Sequence, residues 1–191
     1  KYLFQTSAWI KIMEIDNHLV KEVKFLKSPN FNNRPAEENI SLIVIHSISL
    51  PPKQYGGSYV EDFFLNNLNI SQHEYFKEIK GLKVSSHLYI KRDGEIIQFV
   101  PFNKRAWHAG DSVFNGVPNC NDFSIGIELE GADDDIFTEE QYDSLASATK
   151  EIIKKYPLIS KDNITGHSEI APNRKTDPGS KFDWEKYLKL V

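Results

Sequence analysis

The chain reads as a mixed α/β domain, a central mixed β-sheet with helices packed on it. Two compact runs rich in β-branched residues, Ile40 to Ile45 and Ser124 to Leu129, have the character of buried strands. Two further apolar runs flank an Asp-Gly turn, the pattern of a hairpin. Between and after these lie segments with helical spacing of apolar residues.

Taken along the chain, Val20 to Leu26 alternates briefly, and Ser28 to Pro35 reads as a loop. Ile40 to Ile45 is the first buried strand. Ser49 to Gly57 holds two prolines and two glycines and must be a loop. Val60, Phe63, Phe64 and Leu68 give a short helical spacing. The hairpin joins Val84 to Ile90 with Glu95 to Val100 through Lys91-Arg92-Asp93-Gly94. Ser124 to Leu129 is the next strand. Glu139 to Lys155 is a helix: Thr138 with Gln141 forms a capping-box pattern, Tyr142, Leu145, Thr149, Ile152 and Ile153 share one stripe, and Pro157 ends it. Asp183 caps a final helix with Trp184, Tyr187, Leu188 and Val191 on one side.

With 191 residues the chain is one domain at roughly 150 residues per domain. At 40% hydrophobic and 26% charged it is globular and too apolar for disorder. Lys plus Arg number 23 against 27 Asp plus Glu, so the basic field that phosphate backbones demand is lacking and no nucleic-acid partner is expected. The longest clean apolar run, Leu42 to Ile45, is far short of the about 20 residues of a membrane span. One cysteine, Cys120, makes no internal disulfide and fits a reducing compartment. Residues 1–12 lack a basic stretch followed by a long apolar one, so no signal peptide is read and a cytoplasmic place is expected. Met13 is the only methionine, which makes residues 1–12 an upstream extension or an expression remnant.

The histidines carry the chemistry. His46 follows the Ile40–Ile45 run, and His167 follows Ile164-Thr165-Gly166, both strand-end positions where sites are commonly built. Asp177 lies ten residues beyond His167, in Lys175-Thr176-Asp177-Pro178-Gly179. Two imidazoles and a carboxylate with one open position make a water-activating zinc site; the same residues also serve as structural histidines and a turn-forming aspartate. Glu128 and Glu130 alternate onto one face of their strand. A carboxylate there is a candidate general base or part of a solvated face. Lys175 is a candidate oxyanion stabiliser or a surface lysine. Trp107-His108-Ala109-Gly110 suits either a groove wall that stacks on a sugar or a packed loop. His87 reads as a core or supporting histidine, and His18 and His73 as surface ones.

Five segments together resemble the zinc-dependent N-acetylmuramoyl-L-alanine amidase family, the amidase 2 group that includes peptidoglycan recognition proteins. They are Val44 to Pro52, Arg92 to Ile96, Lys104 to Gly110, Cys120 to Gly131, and Thr165 to Gly179, within about residues 40 to 184. The resemblance implies a single zinc amidase domain over residues 13–191 and one zinc per chain. It also implies His46, His167 and Asp177 as metal ligands, Glu128 as the base, and Lys175 beside the oxyanion. The implied substrate is a muropeptide, cut at the lactyl–L-alanine amide of (1,6-anhydro)-N-acetylmuramoyl peptides in peptidoglycan recycling. Trp107, His108, Ala109 and Gly110 are then the expected substrate contacts. The alternatives are a muropeptide-binding module that does not cut, and a zinc peptidase acting on ordinary peptides. Two departures stand out: Ser47 follows the first ligand where the family often has Asn, and Val117-Pro118-Asn119 is less basic than the family pattern.

Overall fold

A computed structural model describes residues 13–191. Residues 1–12, read above as an upstream extension or expression remnant, lie outside the described residues. The core is a six-stranded sheet of β1 (Lys24–Phe25), β2 (Leu42–Ile48), β3 (Leu88–Ile90), β4 (Ile96–Gln98), β5 (Ser124–Glu130) and β6 (Ile164–Gly166). Its order is β6-β2-β5-β3-β4-β1. Strands β6, β2, β5 and β3 run parallel, and β4 is antiparallel to β3 across the Asp-Gly turn and parallel to β1. The mixed sheet expected from the sequence is therefore present. Its four parallel strands all end on one side of the domain, where open α/β sheets commonly build their sites.

The two faces of β2 and β5 are sorted by alternation. Ile43, Ile45, Ile125, Ile127 and Leu129 pack on one face against Tyr142, Leu145 and Ile152 of helix α2 (Glu139–Lys155) and Tyr187 of helix α3 (Trp184–Leu190). Helix α2 has the bounds read from the sequence. Its capping box is complete, with Gln141 N donating to Thr138 Oγ1 and Thr138 N to Gln141 Oε1, both at 3.1 Å. Asp183 caps α3 by accepting from Lys186 N at 2.9 Å. On the opposite face, Leu42 and Val44 pack with Ala109, Cys120 and Ile170. By the same alternation His46, Ser124, Gly126 and Glu128 share that second face.

Several boundaries differ from expectation. Strand β2 runs to Ile48, so His46 lies inside it, flanked by β6 and β5, rather than just past its end. Parallel pairing on both sides extends the strand past the apolar run. The helix expected over Val60 to Leu68, α1, covers only Tyr59–Phe64 and stops where Asn66 turns left-handed at φ 60°. Inside the expected Ser28–Pro35 loop, Phe31–Asn33 pairs antiparallel with Lys104–Ala106. That ladder holds mostly polar residues and leaves no periodic trace. Glu128 and Glu130 face the interior, not solvent: they are 9% and 3% exposed. His87 is buried, His73 is exposed, and His18 is half-buried with its Nδ1 2.7 Å from Tyr156 Oη.

Arg34, in the same loop, is buried without a carboxylate hydrogen-bond partner among the described residues. Its guanidinium donates to the carbonyls of Phe102, Asn121, Asp122 and Ser124 at 2.7–3.2 Å. Burial lowers its pKa to about 10, so it stays charged. It thereby gathers the segment that leads into β5.

Leu145 is fully buried between α2 and the sheet, whereas Leu158 is 54% exposed. Leu145→Ala is expected to lower the unfolding free energy by about 2–5 kcal/mol. Leu158→Ala should stay within about 0.5 kcal/mol. Chemical denaturation of both variants checks this.

Candidate active site

Register brings the chemistry together. In the β2–β5 ladder His46 stands beside Glu128, and in the β2–β6 ladder Gly166 stands beside Ile45, which delivers His167 next to His46. A Cβ at Gly166 would crowd Pro178, so the missing side chain lets the Asp177–Pro178 segment close over β6. Ser168 N donates to Asp177 O at 2.9 Å and fixes that segment.

Three ligand-type atoms converge. His46 Nδ1 and His167 Nδ1 lie 3.0 Å apart, and Asp177 Oδ2 lies 3.0 Å from the first and 3.1 Å from the second. The far nitrogen of His167 is 3.0 Å from the Ala109 carbonyl, which can only accept, so Nε2 carries the hydrogen. In the neutral ring Nδ1 is then a bare lone pair. Burial pushes His46 down to about 4 despite the nearby Asp177 carboxylate, so its ring is neutral at pH 7. Burial alone would raise Asp177, but the His167 and His46 rings facing it hold it well below the usual carboxylate range. Two imidazole nitrogens and a carboxylate oxygen facing one another could hold a cation. The edges of the triangle are close to the about 3.3 Å that tetrahedral ligands at about 2.0 Å impose. Among the described residues this is the group that could hold a metal ion.

The group lies in a cleft of about 570 Å³. Leu50, Phe63, Phe64, Ile79, Leu82 and Val84 make one apolar side, and Glu128, Lys175, Asp133 and Asp134 supply charge. Glu128 Oε2 is buried and lacks a hydrogen-bond partner among the described residues. Burial, reinforced by Asp177 and opposed by Lys175, raises the Glu128 pKa well above its usual value of 4.5. Glu130 is spent on the fold: its Oε1 accepts from Gly56 N at 2.7 Å and its Oε2 from Arg92 N at 3.0 Å. It ties the Ser49–Gly57 loop and the hairpin turn to the end of β5. The two glutamates share a face, but only Glu128 lines the cleft.

Trp107 and His108 line the cleft, and Trp107 Nε1 donates to Asn32 Oδ1 at 2.7 Å. Ala109 and Gly110 do not line it. Ala109 is buried, its carbonyl taking hydrogen bonds from His167 Nε2 and, at 2.6 Å, from Arg174 Nη2; Gly110 packs on the Arg174 guanidinium. His108 Nδ1 is 2.9 Å from His46 Nε2, and His108 Nε2 is 3.2 Å from Ser124 Oγ. A Cβ at Gly126 would overlap the His108 ring. Asn121 Oδ1 accepts from His108 N at 3.1 Å and Ala109 N at 2.8 Å. Asn121, Ser124 and Gly126 were not singled out in the sequence. Extending the Glu128 alternation backwards through Gly126 to Ser124 is the signal that finds two of them. The apolar side of the cleft was also missed, because Tyr75 to Val84 is largely irregular.

A family profile described as N-acetylmuramoyl-L-alanine amidase matches residues 36–180, from ahead of β2 to the Asp177 loop. The chain belongs to the N-acetylmuramoyl-L-alanine amidase family. It is 53% identical over 181 residues to the 1,6-anhydro-N-acetylmuramyl-L-alanine amidase AmpD of Haemophilus influenzae, covering 95% of this chain and 98% of that protein. The fold superposes on a crystal structure of a selenomethionine AmpD derivative with a TM-score of 0.91 and 50% identity, covering 94% and 99% of the two chains. It also matches the Escherichia coli amidase AmiD in complex with anhydro-N-acetylmuramic acid-L-Ala-D-γ-Glu-L-Lys, with a TM-score of 0.61, 26% identity, and 94% and 66% covered. No helix among the described residues is long and apolar enough to cross a membrane.

Two opposite effects are expected of the glutamates in metal-free protein. Glu130→Ala strands Gly56 N and Arg92 N and should cost at least about 2 kcal/mol. Glu128 is harder to ionise folded than unfolded, so wild type loses stability as pH rises from about 4.5 through the raised folded pKa. Glu128→Gln escapes that loss and should gain on wild type between pH 4.5 and neutrality, as denaturant titrations at the two pH values would read.

Proposed function

We propose that the chain hydrolyses the lactyl–L-alanine amide of 1,6-anhydro-N-acetylmuramoyl peptides, with His46, His167 and Asp177 as the ligands of one zinc ion. The observation that carries the zinc assignment is the triangle of two bare imidazole nitrogens and a carboxylate at 3.0–3.1 Å. Nitrogen and carboxylate donors with an open position on the cleft suit zinc. Bound there, zinc supplies Lewis acidity to the scissile carbonyl and lowers the pKa of water. The substrate class is supported by the 53% identity to a protein named for that amide and by the AmiD complex with an anhydromuramoyl peptide.

Each remaining step falls to a side chain of this chain. Glu128, with its free oxygen and raised pKa, is built to take a proton from the attacking water and hold it in a water-poor pocket. As the amide C–N bond breaks, that proton passes from the Glu128 carboxyl to the leaving L-alanine nitrogen. Lys175 lines the cleft two residues before Asp177 and sets its ammonium charge beside the oxygen that becomes anionic. Trp107 borders the cleft and offers its face to the sugar, while the apolar side around Leu50, Phe63 and Val84 excludes water from the peptide. The cytoplasm, where recycled wall fragments are processed, is the compartment this reading implies. A binding module without hydrolysis is disfavoured because all three ligand residues and Glu128 are present together.

Metal content, kinetics and product analysis test this. Elemental analysis of zinc-loaded protein is expected to give one zinc per chain, and His46→Ala should lose metal and activity together. Glu128→Ala should keep its zinc while kcat falls about 10²–10⁴-fold. Mass spectrometry should show a free peptide beginning with L-alanine released from an anhydromuropeptide. A plain peptide of the same sequence should stay uncut, since without the sugar the binding that positions the amide is lost. Equal kcat/KM on the two substrates overturns the assignment in favour of a general peptidase.

A further inference from the structure

We propose that His108 is a positioning residue for His46, and that its loop braces both histidine ligands from behind. The inference rests on the reading of His46 and His167 as ligands. Both ring nitrogens of His108 are committed to protein atoms, His46 Nε2 at 2.9 Å and Ser124 Oγ at 3.2 Å. No ring nitrogen is left for a substrate hydroxyl. The rings of His46 and His108 stand at 85° with centroids 5.0 Å apart, the edge-on geometry in which an N–H points at a lone pair.

The chemistry gives the contact its purpose. A neutral histidine binds a metal through one nitrogen only if the other carries the hydrogen, and an acceptor at the far nitrogen selects that tautomer and fixes the ring plane. His108 Nδ1 is that acceptor for His46 when its own hydrogen is on Nε2, facing Ser124 Oγ. The next residue does the same for the other ligand, since the Ala109 carbonyl takes the His167 Nε2–H at 3.0 Å. One side-chain oxygen, Asn121 Oδ1, accepts from the backbone N–H of both His108 and Ala109. Two consecutive residues held by one amide thus orient two ligands that lie 121 positions apart in the chain. Gly126 leaves the space in which the His108 ring sits.

The test is zinc affinity, read by competition with a chromophoric chelator on the full chain, together with the visible spectrum of the cobalt-loaded protein. His108→Phe keeps an aromatic ring and removes the acceptor; zinc binding should weaken about 10–100-fold, with an altered cobalt spectrum. His108→Asn places Oδ1 near the position of the lost Nδ1 and should recover most of that affinity. At saturating zinc the KM of His108→Phe should stay within about twofold of wild type. Ser124→Ala removes only the far partner and should weaken zinc a few-fold, which decides the matter should His108→Phe fail to fold. Wild-type zinc affinity in His108→Phe, or in Ser124→Ala if that variant must serve, overturns the proposal. So does a severalfold rise in KM alone, which would make His108 a substrate contact. Wild-type protein that binds no zinc would instead overturn the ligand assignment itself.

Discussion

Three lone-pair-bearing atoms, His46 Nδ1, His167 Nδ1 and Asp177 Oδ2, face one another across 3.0–3.1 Å at the carboxyl ends of parallel strands. Such an arrangement repels itself unless a cation sits within it, so the surrounding structure must hold it open. Much of the domain does that work. Pairing of β2 with β6 delivers His167 beside His46, pairing of β2 with β5 sets Glu128 on the other flank, and Gly166 lets the Asp177 segment close. The burial that keeps His46 neutral also makes Glu128 hard to ionise. One environment thus disfavours charge on an imidazole and on a carboxyl alike.

That environment is stiff because the sheet is clamped on its other face. Ile43, Ile45, Ile127 and Leu129 are buried beneath α2 and α3, so the strands cannot slip without exposing them. A one-residue slip of β5 would also reverse its faces and drive Glu128 into that apolar layer. The cleft wall is secured separately. Glu130 fastens the Ser49–Gly57 loop, and Lys91 bridges Glu61 of the helix Tyr59–Phe64 at 2.9 Å and Glu95 of the hairpin at 3.0 Å.

What the sequence revealed and what it hid divide along the range of the interactions. Helix α2 was legible to its ends because a capping box and an apolar stripe are local patterns. The hairpin around Gly94 was legible because its turn residues are adjacent. The chemistry of His46, His167 and Asp177 was visible as residue types, yet their meeting depends on strand order, which no local pattern encodes. Glu128 and Glu130 look equivalent in sequence and differ only in what lies over them: the cleft for one, Gly56 N and Arg92 N for the other. The Trp107–Gly110 loop read as either a groove wall or a packed loop, and its partners at 46, 121, 124 and 167 are remote, so what each residue touches was hidden. Polar Phe31–Asn33 pairs with Lys104–Ala106 for tertiary reasons alone.

Arg34 gives the interior a fixed cation of its own. Its guanidinium is solvated by the carbonyls of Phe102, Asn121, Asp122 and Ser124 much as an ion is coordinated by oxygen ligands, but it is covalently tethered and cannot exchange. The residues it gathers include Asn121 and Ser124, which in turn hold His108 against His46. The domain therefore carries a permanent, tethered cation behind the group of His46, His167 and Asp177. No chelator can remove that charge, so the backbone around Asn121 and Ser124 keeps its shape whatever the cleft holds.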